Sequence, residues 1–214
     1  MVKKKIDKAT LKLNRLLDSN YYSTVIDAWF VVLEKVGGNP SRIRKENLIK
    51  EAGLRNHQRF DAEFGQIEGI YNRAKTKFCK RIEKVAYAYR HQFIPGAKIW
   101  SLFFDAIIDC KRECKMAMIR KDTEFFAASL DVLREYFKDI VCSEDFEEEP
   151  EAVYETRTYR YCFSVAVAVV VTAIYEWDAT NYSENAKAKL IQDIPGLLYC
   201  LDHPNATFIR VLGR

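Results

Sequence analysis

Apolar residues recur at helical spacing along most of this chain, and few residues interrupt the pattern. Between residues 21 and 36, Tyr22, Val25, Ile26, Trp29, Phe30, Leu33 and Val36 follow the i, i+3, i+4, i+7 rule that lines one face of an α-helix. Only 8 Gly and 5 Pro punctuate 214 residues, too few for a succession of short strands and turns. The pattern therefore predicts an all-α fold: helix-turn-helix-like helices at the N-terminal end, followed by an α-helical bundle. Apolar residues make up 49% and aromatics 13%, enough to fill a sizeable core.

The same spacing places the elements. Ile6, Ala9, Leu13, Leu16 and Leu17 predict a first helix over 6–18, inside a basic extension of residues 1–20. The helix over 21–36 should end at Gly37-Gly38-Asn39-Pro40, where glycine suits the left-handed cap and proline cannot continue. Ser41 is placed to cap a helix over 42–52, which Gly53 breaks. A long helix is expected from about residue 56 to about residue 92, with a bend near Gly65 and Gly69. Pro95-Gly96 then divides a helix-turn-helix-like region, 21–92, from a bundle, 97–214. In the bundle, helices are expected over 98–119, 122–141, about 150–178 and about 183–193. The run YCFSVAVAVVVTAIY, 161–175, is apolar on every side, which predicts a central helix.

Charge is unevenly distributed. Residues 1–92 hold 20 Lys and Arg against 10 Asp and Glu, a net +10, whereas residues 93–214 hold 14 against 20, a net −6. A basic first part suggests an anionic partner for that part alone. The longest uncharged run is 15 residues, short of the roughly 20 that cross a bilayer, so no membrane partner is expected. MVKKK leads into an amphipathic stretch without a signal-like apolar core, and six scattered cysteines include no C-x-x-C pair. Both features fit a reduced, cytoplasmic protein.

Catalytic and cofactor signatures are missing from the sequence. It holds no G-x-G-x-x-G, no G-x-x-x-x-G-K and no G-x-S-x-G. The residues three before the histidines are Leu54, Ala88 and Cys200, so the Glu-x-x-His pair of helical di-iron sites is missing, as is the Arg-x4-6-His signature of HEPN-type ribonucleases. Cys110 and Cys114 share a helical face but lack a nearby histidine. Asp105, Asp109 and Glu113, at i, i+4 and i+8, read as a solvated helix face rather than a metal site. The expectation is no enzyme, no cofactor and no metal.

One segment does carry functional information. In IRKENLIKEAGLRNHQRF, residues 43–60, Gly53 supplies the residue tolerant of positive φ that a helix-turn-helix needs. Leu48, Ile49 and Ala52 before it, with Leu54 and Phe60 after it, supply a small core. Arg55, Asn56, His57, Gln58 and Arg59 then occupy the leading turn of the next helix. Arginine suits guanine edges and asparagine or glutamine suit adenine edges, while any of them can hold phosphate. Arg42, Arg44 and Lys45, ahead of the second helix, complete the candidate DNA-binding set.

With its flanks, this region resembles the N-terminal domain of the tetracycline-repressor (TetR-type) family of transcriptional regulators. The matching pieces are VIDAWFVVLEKVGG (25–38), IRKENLIKEAGL (43–54) and RFDAEFGQIEGIY (59–71), with Ala52-Gly53, Phe64-Gly65, Glu68 and Ile70 at the family's marked places. The chain departs from the family in the wider spacing of Phe60 and Phe64, in Ile49 for a small residue, and in Ile67 for a phosphate-contacting lysine. The resemblance implies transcription regulation through duplex DNA, with residues 97–214 serving homodimerisation and ligand sensing. The alternative is an all-helical protein-interaction or assembly module, of mobile-element or phage origin, that docks a protein partner and binds no DNA. A third possibility is an enzyme of a type these residues do not reveal.

Overall fold

The structure is a computed structural model that describes residues 8–55, 57–89, 96–141 and 157–202. The fold is all-α. In chain order the helices are α1 (Lys8–Leu17), α2 (Asn20–Lys35), α3 (Lys45–Glu51), α4 (His57–Glu63), α5 (Ile67–Tyr89), α6 (Gly96–Asp109), α7 (Lys111–Arg120), α8 (Thr123–Val141), α9 (Arg157–Ala179) and α10 (Glu184–Asp202). No described helix is long and apolar enough to cross a membrane.

The chain forms two compact units. The first takes the described residues up to Lys77 together with Arg112–Arg120; the second takes Phe78–Lys111 and the described residues from Lys121 onward. The division falls inside α5.

In the first unit, Ser19 caps α2 by accepting from the Tyr22 N–H. Trp29, Tyr22, Val25 and Ile26 are fully buried and meet Leu48 and Ile49 of α3, Phe60 of α4, Ile70 of α5 and Met116 of α7. The Trp29 indole N–H donates to the Tyr71 hydroxyl at 2.9 Å, which holds these two rings to each other. In the second unit the core is aromatic. Phe78 lies parallel to Phe125 at 5.2 Å, and Phe104 meets Trp177 edge to face at 5.0 Å. Helix α9 packs on α8 and α10, and α10 packs on α6.

Several boundaries differ from those the sequence predicts. The helix expected over 42–52 with a Ser41 cap is a 3-10 turn, Pro40–Arg42, followed by α3. The Asn39 side chain accepts from the Ser41 N–H, so the cap sits two residues earlier and closes the shorter turn. The long helix expected over 56–92 is two helices, α4 and α5. Gly65 adopts φ +69° and its N–H turns back to Asp61 O, a conformation that ends a helix. Gly69 serves another purpose: a β-carbon there would lie 1.7 Å from the Phe64 carbonyl oxygen. Residues 98–119 likewise fall into two helices, α6 and α7, and the last helix extends past 193 to Asp202.

The described part of the valine-rich helix, residues 168–179, is not surrounded by core. Among its described side chains, Val170, Ala173, Ile174 and Trp177 are buried, Val169 and Val171 are half-buried, and Thr172 and Tyr175 are exposed. Over these described residues it is covered on one stripe. An apolar run does not reveal which side its neighbours occupy.

Candidate nucleic-acid interface

Helix α3 ends in the turn that its glycine dictates. Gly53 has φ +62°, the Gly53 N–H donates to Lys50 O at 3.1 Å, and the Leu54 N–H donates to Ile49 O at 3.0 Å. These two bonds satisfy carbonyls that the helix end would otherwise strand. The chain then turns through Arg55 into α4. Phe60, fully buried, anchors α4 from beneath, and Phe64 packs beside it at 5.2 Å between ring centroids.

With Phe60 pointing inward, the preceding residues of α4 point outward. His57, Gln58 and Arg59 are all exposed, as is Arg55 in the turn. Asn56 lies outside the described residues. Arg42 and Arg44, ahead of α3, are also exposed. The structure therefore brings Arg55, His57, Gln58 and Arg59 together on one short segment, with Arg42 and Arg44 on the approach to α3.

Lys45 differs from the rest of the expected set. It forms an ion pair with Asp61 of α4, keeps only 23% of its side chain exposed, and lies over the Phe60 ring at 5.9 Å. It ties α3 to α4, which the sequence alone cannot show because Asp61 lies beyond the turn. Arg59 is held from a second element: its guanidinium lies 3.9 Å from the centroid of the Tyr21 ring, at the start of α2. Tyr21 in turn stacks on Phe64 at 6.0 Å. Burial raises the Tyr21 phenol above its ordinary value, against the opposing pull of the Arg59 charge. Sequence reasoning missed Tyr21, since no local pattern links α2 to the first turn of α4.

The other candidate features resolve into internal contacts. The acidic row expected to be a solvated face is divided between two helices, and each member has a cation: Asp105 with Lys187, Asp109 with Arg81, and Glu113 with Lys77. Glu113 is 1% exposed, so it is far from solvated. Cys110 and Cys114 are buried. Among the described residues, no group of three His, Cys, Asp or Glu side chains is placed to hold a metal ion. A cleft of about 340 Å³ lies between the 3-10 turn, Ile43, the start of α5 and Arg120. Its charged groups, Arg120 and Glu68, pair with each other, and Arg120 stacks on Tyr71 at 3.5 Å.

No protein-family model, curated protein or solved structure matches the chain.

Proposed function

We propose that this chain is a DNA-binding regulator whose α3–turn–α4 segment reads duplex DNA. On this reading its remaining helices serve self-association and ligand sensing. The carrying observation is that Arg55, His57, Gln58 and Arg59 are exposed together at the start of α4, above a fully buried Phe60. A recognition helix needs this division of labour: an apolar anchor beneath, and donor-rich side chains at the end that enters the major groove. Arg42 and Arg44 supply further exposed positive charge for phosphate contacts. The sequence resemblance to tetracycline-repressor-type regulators points the same way. Action in the cytoplasm, as a homodimer, belongs to the same proposal.

The test is duplex binding by the full chain over a range of salt concentrations. Wild-type affinity should fall steeply as salt rises, because neutralised phosphates release counterions. The double variant Arg55→Ala, Arg59→Ala should bind at least about tenfold more weakly, as expected when a bidentate base contact is lost. Equal binding by the variant and the wild type would overturn the proposal. Stoichiometric capture of a protein partner by a chain that no duplex retains would replace it with the interaction-module reading.

A further inference from the structure

Arg59 is exposed, yet it is not positioned by α4 alone. The Arg59 guanidinium carbon lies over the Tyr21 ring, from the start of α2, at 3.9 Å from its centroid, and Phe64 backs that ring at 6.0 Å with the two ring planes 24° apart. Phe64 in turn packs on Phe60, the buried anchor of α4. An exposed arginine samples many rotamers, and fixing one of them opposes binding. A ring held rigidly against the guanidinium face restricts those rotamers before any ligand arrives. Stacking engages the face of the group, whereas its N–H donors lie in the plane and reach outward along the edge. Such an edge matches two acceptors lying in one plane, the O6 and N7 of guanine in the major groove.

We infer that Tyr21 is a positioning residue that aims Arg59 at a guanine edge and thereby sets base preference; this rests on the DNA-binding reading above. The position uses the ring and not the hydroxyl. The Tyr21 hydroxyl is buried and has no hydrogen-bond partner among the described residues. Phenylalanine should therefore preserve the device, and leucine, which has no ring, should abolish it.

The experiment begins by enriching duplexes from a random-sequence pool with the full-length wild-type chain. Affinities are then measured for the enriched duplex, for the same duplex carrying 7-deazaguanine, and for an unrelated duplex. Tyr21→Phe should bind the enriched duplex like the wild type. Tyr21→Leu should lose about tenfold on the enriched duplex, the scale of one bidentate base contact. Its affinity for the unrelated duplex and its salt dependence should not change, since no phosphate contact is removed. Arg59→Lys is exposed and keeps the charge, so it tests the same geometry without disturbing the core; it should show the same selective loss. 7-Deazaguanine at one position should weaken the wild type and leave Tyr21→Leu unaffected. In an Arg59→Ala background, Tyr21→Leu should cost nothing further, because the residue acts through the arginine.

An equal loss on both duplexes would overturn the inference, as would a loss that adds to Arg59→Ala. Unchanged selectivity in Tyr21→Leu and Arg59→Lys would overturn it while leaving DNA binding intact. A wild type that enriches no duplex removes the DNA-binding reading, and this inference with it.

Discussion

Two basic surfaces of this chain use similar charge differently. Along α5, Arg73 donates to the Glu63 carbonyl, Lys77 meets Glu113, and Arg81 meets Asp109. Around α3 and α4, Arg42, Arg44, Arg55 and His57 are exposed, and none has an ion-pair partner among the described residues. The denser run of lysine and arginine lies along α5, yet the fold uses that charge differently. Lys77 is paired with an acid on α7 and Arg81 with one on α6, so much of this charge is taken up by contacts inside each unit. The charge around α3–α4 faces solvent and remains available to a polyanion. Net charge along a sequence thus overstates what a partner meets.

The proposed reading surface stands on a buried ring. Phe60 is fully buried among Leu48, Ile49 and Phe64, and it fixes α4 to the core. Phe60→Ala should destabilise the protein by about 4 kcal/mol, as truncations of buried aromatics do. Urea unfolding would read it. A loss under about 1 kcal/mol, the range of ordinary surface changes, would mean that α4 is not anchored there. The exposure of Arg55 to Arg59 would then lose its structural reason.

Next in size is the α5 ion pair. Glu113 is almost wholly buried, and Lys77 supplies its charge partner at 2.9 Å. Lys77→Ala would strand that carboxylate, at a cost of about 3 kcal/mol. Removing both charges, Lys77→Met with Glu113→Leu, should recover most of the loss. By contrast Arg81→Ala breaks a pair that is 34% and 49% exposed, and it should cost under about 1 kcal/mol. If Lys77→Ala proves as mild as Arg81→Ala, the α5 stripe does not organise the core in the way described.

Much of this architecture was legible in the residues. The apolar stripe of α2, the glycine stops after α2 and α3, and the inward position of Phe60 all follow from local rules that tertiary packing did not override. The break between α4 and α5 was not. Phe60, Phe64, Ile67 and Ile70 keep helical spacing straight through Gly65, so the apolar pattern runs on where the backbone stops. Of the candidate site, the polar run was legible and its internal partners were not. Asp61 holding Lys45 and Tyr21 under Arg59 are contacts across elements, and periodicity carries no information about them.

The two tyrosines that carry arginines differ in what their hydroxyls meet. Tyr71 accepts from the Trp29 indole N–H, whereas the Tyr21 hydroxyl has no partner among the described residues. Tyr71→Phe should cost about 1–3 kcal/mol, because it leaves a buried donor unpaired. Tyr21→Phe should cost nothing measurable. Burial raises both phenols above their ordinary value of 10.0. Their contribution to stability is therefore complete below pH 10.0 and is lost as pH climbs through the raised folded-state values. Unfolding measured across that alkaline range should fall with pH in the wild type and fall less steeply in Tyr71→Phe. An unchanged slope in that variant would show that its phenol is no more buried in the folded chain than in the unfolded one.

The smallest effect on stability is also the most direct test of which surface meets DNA. Arg42→Ala with Arg44→Ala removes two exposed charges and should change stability by less than about 0.5 kcal/mol. If both arginines contact phosphates, the slope of log affinity against log salt should become shallower by about 1.8, since each contact contributes roughly 0.9. Lys84, exposed on α5, provides the matched control, and its replacement by alanine should leave the slope unchanged. The two outcomes separate charge that is merely exposed from charge that a duplex reaches. A slope that responds to Lys84 and ignores Arg42 and Arg44 would move the nucleic-acid surface from α3–α4 to the far part of α5. The ion pairs along α5 would then have to be read as positioning that helix for binding.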